Sequence, residues 1–184
     1  MTSVTQIAYS TRDIEKTARS FAEIDGIGPF YMAEFPLYDT TYQGKPIDYE
    51  RLKVAFGYRG HQQIELLQVP EGMHSVYSEG LEGRHEVFHH TYNYLDTTEE
   101  NYDAIIARHQ AAGEHATYQG LAGDGRIRFA YIDARKRLGH FIELLDTRQM
   151  AGTPADLGWL YERMEAEARQ WDGKRPIRSI EELL

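Results

Sequence analysis

Apolar and polar positions along the chain fall into two runs of the same order. Positions 3–9 (Ser-Val-Thr-Gln-Ile-Ala-Tyr) have the β-branched and aromatic content of a strand. Positions 13–24 then place Ile14, Ala18, Phe21 and Ala22 at helical spacing, with Thr11 or Asp13 placed to cap the helix. Asp25-Gly26 and Gly28-Pro29 end it. A short strand is expected at 30–35, followed by a loop over 36–50 that carries Pro36, Gly44 and Pro46 together with Tyr38, Tyr42 and Tyr49. Segments 51–58 and 62–68 alternate like strands and are joined as a hairpin by Arg59-Gly60-His61. A Gly-rich polar stretch from Pro70 to Gly83 separates this run from the next.

The same order then returns. A strand is expected at 87–95, and a helix over about 98–112, started by Thr97 or Thr98 and stopped by Gly113. Its Tyr102, Ile105, Ile106 and His109 share one face. A short strand at 115–119 and a second hairpin, 126–133 with 138–145, complete the run. Beyond it, Pro154 stands near the first turn of a helix that reaches about residue 170 and carries Leu157, Leu160, Tyr161 and Met164. Asp172-Gly173 and Pro176 break the tail, and Ser179 heads a short helix. The pattern predicts an α+β chain with a duplicated βαβββ topology. The first module occupies 1–70, a linker 71–86, the second module 87–147 and a C-terminal helical extension 148–184.

Composition narrows the function classes. Of 184 residues 41% are hydrophobic and 27% charged, ordinary values for a globular chain able to bury a core. The net charge of −9 argues against nucleic acid or an anionic membrane as partner, since both call for clustered Lys and Arg. The absence of cysteine excludes disulfides, thiolate metal sites and Cys nucleophiles. No signal-peptide pattern and no apolar run of roughly 20 residues is present, so the expectation is a cytoplasmic protein acting on a small molecule. Thirteen tyrosines suit a pocket wall or a subunit interface.

Strand alternation selects the candidate chemistry. Gln6 shares a face with Val4 and Ala8, and Glu65 with Gln63 and Leu67. Glu143 lies with Phe141 and Leu145, and His90 with Phe88, Tyr92 and Tyr94. Each half therefore offers one polar donor on its first strand and one carboxylate on its last. A carboxylate among apolar neighbours is costly to bury unless it is paired or bound to a cation. Two carboxylates, an imidazole and an amide oxygen make a hard donor set suited to Zn, Ni, Co, Mn, Fe or Mg.

These stretches carry a resemblance. Gln6-Ile-Ala-Tyr with Asp13-Ile-Glu-Lys-Thr, Gly28-Pro29-Phe30, Gln63-Ile-Glu65-Leu-Leu, Val87-Phe-His-His90 and Leu138-Gly-His-Phe-Ile-Glu143-Leu follow one another as in the glyoxalase, bleomycin-resistance and dioxygenase superfamily, also called vicinal-oxygen-chelate proteins. The chain resembles this superfamily over roughly 3–147. The resemblance implies two βαβββ modules forming a half-barrel cup, with the family's metal positions on Gln6, Glu65, His90 and Glu143. That ligand set is similar to one branch of glyoxalase I, and the site to that of methylmalonyl-CoA epimerases. It further implies an isomerase or lyase that transfers a proton next to a carbonyl through a metal-bound enediolate or enolate. Glu65 or Glu143 would serve as general base and then acid, Glu143 being preferred. A homodimer is also implied.

Plainer readings stand beside these. His90 can be a structural histidine, and Gln6 can bond backbone at a strand end. His89 is expected to point away from His90 and to be structural, and His140 to face away from Glu143. His61 and His85 are expected in solvated turns. The Tyr38, Tyr42 and Tyr49 segment suits a lid, a pocket rim or a dimer contact. Gly120, Gly123 and Gly125 lack nucleotide-loop spacing and read as a flexible turn. Two other functions compete. An extradiol-type dioxygenase needs a second His where Gln6 stands. A metal-free binding or resistance protein on the same fold needs none of the four donors.

Overall fold

The computed structural model describes residues 5–47, 51–68, 75–92, 102–153 and 156–184. The first module comprises β1 (Gln6–Thr11), α1 (Ile14–Asp25), β2 (Phe30–Tyr42), β3 (Lys45–Pro46), β4 (Arg51–Arg59) and β5 (Gln62–Gln68). The second comprises β6 (Glu86–Tyr92), α2 (Tyr102–Ala111), β7 (Ala116–Ala122), β8 (Ile127–Asp133), α3 (Arg135–Leu138) and β9 (Phe141–Asp146). A tail of α4 (Leu157–Arg169), β10 (Ile177–Ser179) and a 3-10 turn at Ile180–Leu183 follows.

Within each module the first strand lies beside the last in parallel, as β1–β5 and β6–β9, and the remaining pairs are antiparallel. The modules join through antiparallel β1–β6. They meet a second time through β2–β7, so the sheet returns on itself as an eight-stranded closed cup. The paired βαβββ architecture expected from the sequence is therefore present, and closure goes further than a half-barrel.

That closure depends on a segment expected to be loop. Residues 36–42 continue β2, because the carboxyl-terminal part of this strand pairs with β7. The ladder bulges between Tyr38 and Thr41, where Asp39 takes a left-handed conformation. Tyr42 is thereby buried edge-on against Tyr118, whereas Tyr38 remains exposed. Tyr49 lies outside the described residues. Gly120 belongs to this seam in β7, not to the turn that holds Gly123 and Gly125. A Cβ there would stand 2.9 Å from the Tyr38 carbonyl and 2.8 Å from the Thr40 methyl. The second hairpin also departs from expectation: residues 135–138 form α3, and β9 starts at Phe141.

Strand alternation divides the apolar side chains between two faces. Ala8, Val54, Phe56, Leu67, Phe141 and Leu145 point into the cup. Outside it, α1 covers Ala55, Ile64 and Leu66 of the first module. Tyr102 and Ile105 of α2 cover Ala130, Ile132 and Leu144 of the second. Asp13 caps α1 by accepting from the Lys16 amide, and Gly26 ends it in the left-handed conformation. The start expected for α2 at Thr97 or Thr98 lies outside the described residues, as does Pro154.

The tail is part of the same core. Leu157, Leu160 and Met164 of α4 are buried in the cup's apolar cluster, and the ring of Tyr161 lies 6.0 Å from that of Phe56. Asp156 caps this helix through the Gly158 amide. His61, at the first hairpin's turn, reaches Glu165 of α4 at 2.8 Å. Beyond the helix, β10 adds to β2 in parallel, pairing Ile177 with Phe30. One stretch of β2 is thus covered by β10 and the next by β7, which leaves little free edge. Among the described residues no helix is long and apolar enough to cross a membrane.

Candidate metal centre

Gln6 on β1, Glu65 on β5, His90 on β6 and Glu143 on β9 come from the four adjacent strands at the centre of the sheet. All four side chains point into the cup. They are nearly inaccessible to solvent, at 2%, 7%, 0% and 8% respectively. His90 Nε2 lies 3.2 Å from Gln6 Oε1, 3.2 Å from Glu65 Oε2 and 3.1 Å from Glu143 Oε2. Among the described residues, Glu65, His90 and Glu143 form a group whose ligand atoms all fall within 4.8 Å of one another.

Three oxygens around one ring nitrogen exceed what that nitrogen can satisfy. A single N–H can point at one acceptor well, and Glu65 Oε2 is in fact buried without a hydrogen-bonding partner. Two carboxylates brought together in an apolar interior also repel one another. Accordingly, burial and then the Glu143 charge push the Glu65 carboxyl up, to about 7. Burial alone would push His90 down, but Glu143 and Glu65 outweigh it and raise the imidazole to about 9. In this way the group holds protons where a divalent cation would satisfy the same lone pairs. The donor set, the orphaned oxygen and the excess negative charge fit a metal ion.

Neighbouring groups fix how these donors are aimed. The Gln6 amide nitrogen donates to Gln63 Oε1 at 2.6 Å, and the Gln63 amide nitrogen donates to the Tyr58 hydroxyl at 2.6 Å. This relay turns the Gln6 oxygen toward His90. Gln63 shares the inward face of β5 with Glu65, so strand alternation alone could have marked it.

The sequence reading of β6 requires correction. His89 does not point away from His90. The β1–β6 ladder pairs Ala8 with His90 but Tyr9 with Phe88, leaving His89 as the extra residue of a β-bulge. Both imidazoles consequently turn inward, with their Nδ1 atoms 2.8 Å apart. Phe88 does not share the His90 face; it packs outside against Tyr9 and His140. His89 is buried among Tyr77, Tyr131 and Phe141, and its burial pushes its pKa well below the ordinary histidine value. No periodicity argument could have found this, because a bulge breaks the period on which such arguments rest.

The cup around the centre is apolar. Its free space is about 60 Å³, walled by side chains such as Phe35, Val54, Tyr77, Ile127, Leu157 and Tyr161, with Gln6, Glu65 and Glu143 as its polar floor. That is smaller than the ~150 Å³ cavity that accepts benzene. No Lys or Arg lines it among the described residues. Tyr77 comes from the stretch expected to be a linker, and Leu157 and Tyr161 come from the tail. None of the three was a candidate from sequence. Tyr131 stands across the β8–β9 ladder from Glu143, and its hydroxyl lies 3.4 Å from that of Tyr77.

No protein-family model and no curated protein matches the sequence. Solved structures do match. A variant of Streptomyces coelicolor methylmalonyl-CoA epimerase, in complex with 2-nitronate-propionyl-CoA, has 18% identity and a TM-score of 0.51, over 79% of this chain and 94% of that one. A methylmalonyl-CoA epimerase in complex with methylmalonyl-CoA and NH4+ matches with the same values. A hypothetical protein from Bacillus halodurans C-125 matches at 17% identity and a TM-score of 0.50, over 78% of this chain and 92% of that one. With its first strands side by side and a closed eight-stranded cup, the chain has the fold of these methylmalonyl-CoA epimerase structures.

Proposed function

We propose that this chain is a metal-dependent enzyme that transfers a proton next to a carbonyl, in a glyoxalase-like or epimerase-like reaction on a compact and largely apolar group. The observation that carries this reading is the convergence of Gln6, Glu65 and Glu143 oxygens on His90 Nε2 inside an apolar cup. These four residues would hold the ion. When bound, it would act as a Lewis acid toward paired substrate oxygens, lowering the cost of negative charge on them.

The chain's own residues do the rest. The apolar wall strips water from the reacting group, which strengthens every charge interaction within the cup. Glu143 is the general base: its carboxylate takes the proton from the acidic carbon and returns it, and Glu65 remains a donor to the ion. Tyr161 and Leu157, carried by α4, close the cup over the substrate. A thioester bearing a second carboxyl on its α-carbon, like the methylmalonyl-CoA in the complexed epimerase, and a hydroxy- or keto-acyl group both meet the requirement for an acidic C–H beside two oxygens.

The extradiol reading gains no support from the geometry. It calls for two imidazoles, yet among the described residues His90 alone reaches the cluster, since His89 Nε2 faces the Val76 carbonyl. The test of the proposal is deuterium exchange from solvent. Zn-loaded protein is screened against small hydroxy-, keto- and thioester compounds, and NMR follows loss of the proton beside the carbonyl. Exchange by the wild type and its loss in a metal-retaining Glu143→Gln variant are expected. Undiminished exchange in that variant would remove Glu143 from the role, and no exchange across the panel would count against the reaction class.

A further inference from the structure

We propose that His89 is a positioning residue that fixes the tautomer of His90, so that His90 presents an unprotonated Nε2 to a metal. This rests on the metal reading above and concerns how the ligand is prepared. The bulge in β6 is its structural basis. Consecutive strand residues ordinarily point to opposite faces, but here His89 and His90 turn inward together and meet through Nδ1 at 2.8 Å. Only one hydrogen can lie between those two atoms.

The direction of that hydrogen follows from the far end of His89. Its Nε2 lies 3.3 Å from the Val76 carbonyl, which can only accept. His89 Nε2 must therefore carry the N–H. The remainder of the ring is enclosed by Tyr77, Tyr131 and Phe141. In a neutral ring the proton on Nε2 leaves Nδ1 as an acceptor. His90 Nδ1 then donates to it, and His90 Nε2 faces the Gln6, Glu65 and Glu143 oxygens, carrying in the metal-free fold the proton that a metal would displace. Reversing the order would set the Val76 carbonyl against a bare nitrogen lone pair and place an N–H where a metal ligand is needed. The order from Val76 through His89 to His90 satisfies both nitrogens of His89 and Nδ1 of His90. Ligating histidines usually have such a partner on the other ring nitrogen, most often a carboxylate or a backbone carbonyl. Here a second imidazole relays the backbone carbonyl.

The test reads the protons directly. Long-range ¹⁵N–¹H spectra of the wild-type chain, without metal and then with Zn, should show His89 with pyrrole-type Nε2 and pyridine-type Nδ1 in both states. His90 should show pyrrole-type Nδ1 in the Zn form. His89→Phe keeps the ring among its aromatic neighbours and removes both nitrogens, so Zn should bind about ten- to a hundred-fold more weakly. His89→Gln, whose amide oxygen can accept from His90 Nδ1, should recover part of that loss. A proton on His89 Nδ1, or His89→Phe with wild-type Zn affinity, would overturn the proposal. Should His89→Phe fail to fold, the wild-type spectra decide alone. A wild type with the expected His89 tautomer that binds no Zn would instead overturn the metal reading beneath it, and the role of His89 with it.

Discussion

At the scale of single residues, Gln6, a proposed ligand, shows what that role would need besides its own chemistry. An amide can turn either end toward a cation, and only its oxygen is useful there. In this chain Gln63 settles the choice by accepting from the Gln6 nitrogen, and Tyr58 holds Gln63 in turn. Replacing Gln63 with Leu should therefore weaken Zn binding about ten-fold while leaving the fold intact, as calorimetric titration and circular dichroism would show. Unchanged affinity would mean that the Gln6 orientation does not depend on the relay. Gln6, Glu65 and Glu143 were legible from sequence because β1, β5 and β9 keep their alternation, so a polar letter in an inward register stands out. His90 was legible as an inward-facing imidazole, but its partner was not. The extra residue in β6 sends His89 inward and Phe88 outward, and nothing in the letters Val-Phe-His-His marks where the register slips.

At the scale of elements, the long β2 does most to shape the site, and its second half was read as loop. Pro36, Gly44, Pro46 and three tyrosines favour that reading by local propensity. The strand exists because β7 pairs with residues 37–42, a contact between segments far apart in sequence. Gly120 permits the two strands to approach. A Gly120→Ala change would force a methyl against the Tyr38 carbonyl and Thr40, and should cost about 1–3 kcal/mol, read as a lower midpoint in urea. A neutral effect would indicate that the seam can spread without penalty. The C-terminal helix was legible as amphipathic, but not its destination. Since Met164 is buried in the cup's own cluster, Met164→Ala should cost about 2–5 kcal/mol and Met164→Leu under about 1.5 kcal/mol. Equal, small effects of the two would show α4 to be an appendage and not a wall of the cup.

At the scale of the whole molecule, the centre links protonation to stability, and the proposed metal would enter the same balance. Glu65 is raised from 4.5 to about 7 and His90 from 6.5 to about 9 in the metal-free fold. Both groups hold their protons more tightly folded than unfolded. The stability they contribute is present in full below their ordinary values and is lost as pH rises through the folded ones. His89, whose folded pKa is depressed, works the other way below about 6.5 and offsets Glu65 there, so metal-free protein should lose stability mainly from about pH 6.5 to about pH 9. Zn replaces the protons, so the rise in Tm that it produces should grow over the same interval. Differential scanning calorimetry at about pH 6 and about pH 8.5, with and without Zn, checks this. A Zn increment that shrinks with pH would contradict it. Both modules of the cup come from one chain, closed at β1–β6 and again at β2–β7, so all four donors are assembled in a single fold.

The central claim is that Gln6, Glu65, His90 and Glu143 together form one metal site. Its most direct measurement is elemental analysis of the purified chain after reconstitution with Zn, beside Glu65→Ala, His90→Ala and Glu143→Ala. The account predicts close to one ion per wild-type chain and loss of most of it in each folded variant. A folded wild type that retains no divalent ion, or variants that retain as much as the wild type, would contradict it.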